Sequence, residues 1–174
     1  GDGPAYGSPV VFNLEGTRQV VTFTQENLVG VSVATGELLW SRPFTTQSTT
    51  TSQTPILHKD LVIQAGRGNG ITAFRVVKRG DKWDTENVWH NDEVSLHMTN
   101  GVVVDGILVG LSHLNRGQYF GLELDTGHVV WTGAARQAEN ASIVKAGSQV
   151  ISLQNDAELI VLDNIRTGFE SVQS

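Results

Sequence analysis

Cysteine is absent from the chain. That excludes a disulfide framework, a thiolate nucleophile and a cysteine-ligated metal, and it leaves the compartment open, because an uncrosslinked domain can function on either side of a membrane. Long apolar runs are lacking too. Stretches such as Val102-Val103-Val104 and Leu159-Ile160-Val161-Leu162 stop after three or four residues, far short of the roughly 20 that a membrane helix requires. Positive charge is sparse: 12 Lys and Arg stand against 18 Asp and Glu for a net charge of -6. The basic residues are scattered, so neither a nucleic-acid backbone nor insertion into a membrane is an expected mode of binding. Helical patterning is missing as well, since no stretch repeats apolar residues at helical spacing over several turns and turn residues interrupt every candidate. The first residue is Gly1, and nothing near it has the pattern of an export signal, from which a trimmed chain is expected.

What is present is a repeat. Val31-Ser32-Val33-Ala34-Thr35-Gly36-Glu37-Leu38-Leu39-Trp40 and Leu122-Glu123-Leu124-Asp125-Thr126-Gly127-His128-Val129-Val130-Trp131 end alike, and a looser copy closes at Val88-Trp89. The tryptophans lie 49 and then 42 residues apart, a period that suits a radial array of four-stranded sheets and no helical solenoid. Laid out on that period, the chain from 1 to 174 divides into four blades, approximately 7–44, 52–90, 99–132 and 141–174, each with four short strands. The expected fold class is all-β: a β-propeller segment of four antiparallel four-stranded blades. In this scheme Gly36 and Gly127 sit where a short hairpin loop needs a positive φ. Trp40, Trp89 and Trp131 are packing residues that fill the wedge between neighbouring sheets. Trp83 falls in an insertion, Lys78 to Glu86, that lengthens the last hairpin of the second blade.

The segments Ser8-Pro9-Val10-Val11, Thr54-Pro55-Ile56-Leu57, Ala34 to Trp40 and Asp125 to Trp131 resemble the repeat of the PQQ-like, quinoprotein-type β-propellers. The resemblance covers nearly the whole chain. Two departures stand out: the second repeat lacks Thr-Gly, and the fourth lacks both Thr-Gly and Trp, with Phe169 in the Trp place. The family contains quinone-dependent dehydrogenases and also non-catalytic extracytoplasmic scaffolds, so the resemblance implies a periplasmic or extracellular location but no single activity. Family members close wheels of about seven or eight blades. A segment of four is therefore expected to be completed by further blades, or by a second copy of the chain, because open sheet faces and edges invite association.

Binding residues on such a frame collect in the loops from second to third strands and in those between blades. Here these loops are polar, and they supply the candidate ligand-binding residues Thr50, Ser52, Arg67, Asn69, His97, Asn100, His113, Asn115, Arg116, Glu139 and Asn140. His90, Asp92, Glu93 and His97 carry metal-ligand chemistry, but they lie in an irregular segment with no rigid spacing, so a solvated loop is expected and no metal site. Gly66-Arg67-Gly68-Asn69-Gly70 precedes a strand, whereas a phosphate cradle must open a helix, so it reads as a tight turn. Arg79-Gly80-Asp81 reads as a hairpin tip. Asn140-Ala141-Ser142 is a glycosylation sequon.

No Ser, His and acid set assembles from sequence neighbours. The resemblance implies that a dehydrogenase of this family would need an Asp base, Glu and Asn ligands for calcium and, often, a vicinal cysteine pair, and the cysteine pair is missing. The expectation is a non-catalytic binding or scaffold module without a cofactor, presenting loops and edges to a protein partner or a small polar ligand. The alternative is a fragment of a PQQ-dependent alcohol or sugar dehydrogenase whose site, with PQQ and calcium, is completed by blades outside these residues. A third reading makes the sheet edges the working surface.

Overall fold

The computed structural model describes residues 2–47, 51–163 and 165–168. Four sheets follow one another along the chain, each with its strands in sequence order. The first holds β1 (Val10–Leu14), β2 (Thr17–Phe23), β3 (Asn27–Ser32) and β4 (Leu38–Pro43). The second holds β5 (Ile56–His58), β6 (Leu61–Ala65), β7 (Ile71–Arg79) and β8 (Lys82–Asn91). The third holds β9 (Val102–Val104), β10 (Ile107–Ser112), β11 (Gln118–Glu123) and β12 (Val129–Thr132). The fourth, among the described residues, holds β13 (Ala141–Ala146), β14 (Gln149–Gln154) and β15 (Leu159–Leu162). Its expected outer strand with Phe169 lies outside the described residues. The only helical element described is a single 3-10 turn, Leu114–Arg116. The all-β blade architecture expected from the repeat is the one observed.

The chain divides into two compact units, residues 1–90 and 91–174. Each unit contains two of the sheets. Sequence alternation sets the faces: β3 alternates half-buried and buried positions, with Leu28, Gly30 and Ser32 on the covered side. β6 and β10 are buried at every position, as strands covered on both faces must be. Glu15-Gly16 and Asp105-Gly106 make the first hairpin turns of their sheets with positive φ at both residues, 49° and 72° in one and 47° and 78° in the other. That geometry matches the twist of two-residue hairpins.

The Thr-Gly turns have the backbone the sequence asked for: φ is 74° at Gly36 and 76° at Gly127. The threonines are part of the same device. Thr35 Oγ1 accepts from Glu37 N at 3.3 Å and Thr126 Oγ1 from His128 N at 3.2 Å, while Gly36 N and Gly127 N donate to the carbonyls of Ser32 and Glu123. These bonds close the turn and deliver the following strand to its tryptophan.

In the first unit Trp40 is buried among Val21, Leu28, Val62, Phe74 and Val76, side chains of both sheets. Its ring meets Phe74 edge-on at 5.9 Å. The indole Nε1 donates to Gln19 Oε1 at 2.6 Å, which keeps a buried polar pair satisfied. In the second unit Trp131 packs against Val109, Val150, Leu162 and Ile165, and its Nε1 donates to the Ile165 carbonyl at 2.7 Å. Both rings therefore fill the space between consecutive sheets. Trp89 is half-buried on β8.

The Lys78 to Glu86 insertion lengthens the last hairpin of the second blade: β7 continues to Arg79 and β8 starts at Lys82, with Gly80 at the tip at a φ of 64°. Alternate positions Trp83, Thr85, Trp89 and Asn91 are half-buried, so a polar outer strand carries only a faint period. Lys78 Nζ stands 5.2 Å over the Trp83 ring, a contact that supports the extension.

Candidate functional site

In the second unit three connections meet. They join β10 to β11 (residues 113–117), β12 to β13 (133–140) and β14 to β15 (155–158). Arg136 N donates to the Asn115 carbonyl at 3.1 Å and Gln137 N to the Gly117 carbonyl at 2.9 Å, so the first two run together on main-chain bonds. Asn155 N donates to the Asn140 carbonyl at 3.1 Å and Asn140 N to Asn155 Oδ1 at 3.3 Å, which ties in the third. Two glutamines complete the frame. Gln118 Nε2 donates to the Gly133 carbonyl at 2.7 Å, and Gln137 Oε1 accepts from Tyr119 N at 3.1 Å. Beneath them the fully buried Tyr119 hydroxyl and Ser152 hydroxyl are 2.6 Å apart, joining the third sheet to the fourth.

The backbone of this rim is held in unusual conformations. Asn115, Arg116, Arg136 and Ala157 have φ of 53°, 60°, 62° and 71°, a region that costs a non-glycine residue about 1 kcal/mol or more. Gly117 has φ 93° and ψ 108°, and a Cβ there would stand 1.6 Å from the Ala138 carbonyl oxygen. Only glycine fits. Such conformations persist where surrounding bonds over-determine them, as the main-chain bonds do here.

The three connections enclose an open cleft of roughly 680 Å³ lined by His113, Arg116, Arg136, Glu139, Asn155 and Asp156, among others. Two cations and two carboxylates thus share one concavity. The His113 ring packs against His97 at 5.7 Å, nearly edge to face. Beside this cleft, and sharing Asn155 with it, is a shallower one of roughly 360 Å³ where Met98 and Leu153 flank Asn140 and Ser142. Met98 is 64% exposed and Leu153 48%. A polar cleft next to an apolar shelf suits a ligand that is itself amphipathic, such as a peptide segment.

Of the residues singled out in the sequence, the structure brings His97, His113, Asn115, Arg116, Glu139 and Asn140 to this rim or its adjoining shelf. Asn100 is exposed and lines neither cleft. Ser52, Arg67 and Asn69 belong to the connections of the first unit, where Gln47 N donates to the Arg67 carbonyl and Asn69 Nδ2 to the Thr45 carbonyl. Thr50 lies outside the described residues. Arg136, Met98 and Leu153 were not among the sequence candidates. Their spacing carries no signal, because only the folded loops show which residues face one another.

His90 and His97 have different neighbours: the Nδ1 of His90 lies 2.9 Å from Thr72 Oγ1, whereas His97 packs on His113. Among the described residues no three His, Cys, Asp or Glu side chains converge to hold a metal ion. No described helix is long and apolar enough to cross a membrane.

No curated protein matches the sequence. Among solved structures, BamB from Moraxella catarrhalis is 17% identical, with a TM-score of 0.61 over 95% of this chain and 61% of that one. The computationally designed Ika4 protein is 14% identical, with a TM-score of 0.61 over 83% of this chain and 84% of that one. A europium-containing methanol dehydrogenase is 11% identical, with a TM-score of 0.53 over 89% of this chain and 38% of that one. At these identities the likeness is one of fold, and the chain spans less than two thirds of the BamB structure it resembles. The model of one sequence family, described as outer membrane protein assembly factor BamB, matches residues 4–133. On that match, which covers most of its length, the chain belongs to the PQQ-like β-propeller repeat family of the outer membrane protein assembly factor BamB.

Proposed function

We propose that the chain is a non-catalytic, extracytoplasmic binding module whose second unit holds a segment of a partner protein in the cleft between residues 113–117, 133–140 and 155–158. The observation that carries this reading is the rim itself: loops fixed by main-chain bonds in costly conformations around a cleft with Arg116, Arg136, Glu139 and Asp156, next to exposed Met98 and Leu153. Pre-set loops lose little conformational entropy on binding, which is how a small interface gains affinity. Family membership supports a scaffold role, since the family is described as an assembly factor, and supports a periplasmic location. A fold shared with a dehydrogenase carries no chemistry by itself.

The test is site-specific photo-crosslinking in cells from position 116 or 136, with position 37 on the first unit as control. The expected result is one discrete protein adduct from 116 and 136, none from 37, and loss of the adduct when Gly117→Ala distorts the rim. Absence of an adduct from both rim positions would overturn the reading. Turnover of an alcohol or aldose by the purified chain with added PQQ and calcium would replace it with the dehydrogenase reading.

A further inference from the structure

A second polar cleft, in the first unit, has chemistry that the loop rim does not share. It measures roughly 340 Å³ and is lined by Pro43, Phe44, Thr45, Gln64, Asn69, Thr72 and His90. No acidic side chain is among them. Gln64 is 5% exposed, and its Oε1 accepts from Arg42 Nε at 3.2 Å. The amide nitrogen at the other end of the same side chain has no hydrogen-bond partner among the described residues, and the cleft is where it is left to donate.

Arg42 stands behind Gln64. Its guanidinium lies 4.7 Å over the Phe74 ring and donates from Nη2 to Asn87 Oδ1 at 2.6 Å, with Thr85 Oγ1 a longer 3.5 Å from Nη1. Every one of these partners is neutral. Arg75 and Arg79, by contrast, each meet a carboxylate, Asp60 in one case and Asp84 and Glu86 in the other. Arg42 is half-buried without one among the described residues, and that burial pushes its pKa down from the ordinary arginine value. An uncompensated cation taken partly out of water favours an anion nearby.

The third donor is the Thr72–His90 pair. Thr72 Oγ1 and His90 Nδ1 are 2.9 Å apart, and one proton lies between them. If Thr72 donates, Nδ1 accepts and the neutral imidazole carries its single N–H on Nε2. If Nδ1 donates, the Thr72 hydroxyl accepts and keeps its own O–H to donate elsewhere. In either arrangement the pair retains one donor. Gln64 stands opposite Thr72 across β6 and β7, which sets the amide donor beside this pair.

We propose that this cleft is a carboxylate-binding site, in which the Gln64 amide and the Thr72–His90 pair hold the anion and Arg42, one side chain behind, supplies the charge. The ligand chemistry is an acidic side chain of an approaching polypeptide, for which a cleft of this size has room. The site is independent of the rim in the second unit, so either can fail without the other.

The experiment is side-chain NMR on the isotope-labelled chain, titrated with N-acetyl-glutamate amide, N-acetyl-glutamine amide and inorganic phosphate in turn. The glutamate compound is expected to shift the Gln64 side-chain amide and the Arg42 Nε–H saturably, and the glutamine compound is not. Arg42→Gln should weaken binding about tenfold or more, as loss of a charged partner does. Gln64→Glu keeps the shape and places a carboxylate against Arg42. It should raise the melting temperature at neutral pH and abolish binding, and it tests the proposal even if Arg42→Gln fails to fold. A fall in melting temperature for Gln64→Glu, equal shifts from the glutamate and glutamine compounds, or tighter binding of phosphate than of the glutamate compound would overturn the assignment.

Discussion

Gly30 and Trp40 face each other across β3 and β4, and the indole sits where a side chain on residue 30 would have to be: an added Cβ would lie 2.2 Å from the ring. Gly121 and Trp131 repeat the arrangement at 2.3 Å. In both sheets the register shifts immediately after the glycine, so the strand bends where the ring lies against it. In β7, Ala73 stands opposite Ile63 as Gly30 stands opposite Val21 and Gly121 opposite Val109. The smallest side chains mark this position.

Gly30→Ala should therefore destabilise the first unit by about 1–3 kcal/mol, the usual cost of overpacking a filled core. Gly121→Ala should cost less, because Trp131 is half-buried and has room to move while Trp40 does not. Urea unfolding of the two variants gives the comparison, and a larger loss at Gly121 would contradict it.

Trp40→Phe removes the donor to Gln19 Oε1 and leaves a buried acceptor unpaired. The expected loss is about 1–3 kcal/mol from that acceptor, beyond the volume change. Adding Gln19→Leu to Trp40→Phe should restore part of it, so the double variant is more stable than the sum of the single changes predicts. Strict additivity in a double-mutant cycle would show that the bond contributes nothing.

Gly117→Ala meets both a forbidden backbone region and the Ala138 carbonyl oxygen. A loss of about 2 kcal/mol or more is expected, with faster amide exchange at Arg136 and Gln137, whose N–H groups bond across the rim. Unchanged exchange at those two amides would mean that the connections are not held together as described.

Asp2 is fully exposed, and bonds from Thr24 Oγ1 and Asn27 Nδ2, followed by those from backbone N–H groups, hold its pKa below the ordinary carboxylate value. A carboxyl depressed in the folded chain stabilises it above the unfolded value, about pH 4, and that contribution is lost as pH falls through the folded value. Protection of the Glu26 amide against exchange, relative to its intrinsic rate at each pH, should fall over that acidic window, since the amide donates to Asp2 Oδ1, and should be lower at neutral pH in Asp2→Asn. A flat profile in the parent chain would refute the tether.

The outer faces of the first and fourth sheets carry rows of apolar side chains, Val11–Val20–Val31–Leu38 in one and Val144–Ile151–Val161 in the other. Val11, Leu38 and Val144 are each more than half exposed, at 51%, 57% and 54%. Sedimentation of the purified chain should show concentration-dependent self-association that Val11→Lys and Val144→Lys together suppress. A single monomer at all concentrations, with or without those changes, would count against a second copy as the covering partner.

The tryptophan spacing and the Thr-Gly turns were legible because both are local: a positive φ needs glycine, and a large ring recurs at a fixed offset from it. Gly30 and Gly121 were not singled out, since a glycine inside a strand looks only like a weak strand residue. Its offset of ten residues from each following tryptophan was the available signal. The rim was half legible. His113, Arg116 and Glu139 stood in loops that the repeat located, whereas Arg136 joined them through main-chain bonds formed only on folding. Arg42 left no mark at all, because a cation lacking a carboxylate partner cannot be told from a paired one until the neighbours are in place.

Main-chain bonds hold the rim of the second unit, and this separates its frame from its surface chemistry. Changing the head groups at 116, 136 or 139 alters what is displayed without breaking a bond that positions the display. The surface is thus open to re-specification: new ligands are reachable by exchanging those residues. Val, Ile and Thr are the residues to exclude at 115, 116 and 136, where branching at Cβ opposes the required backbone.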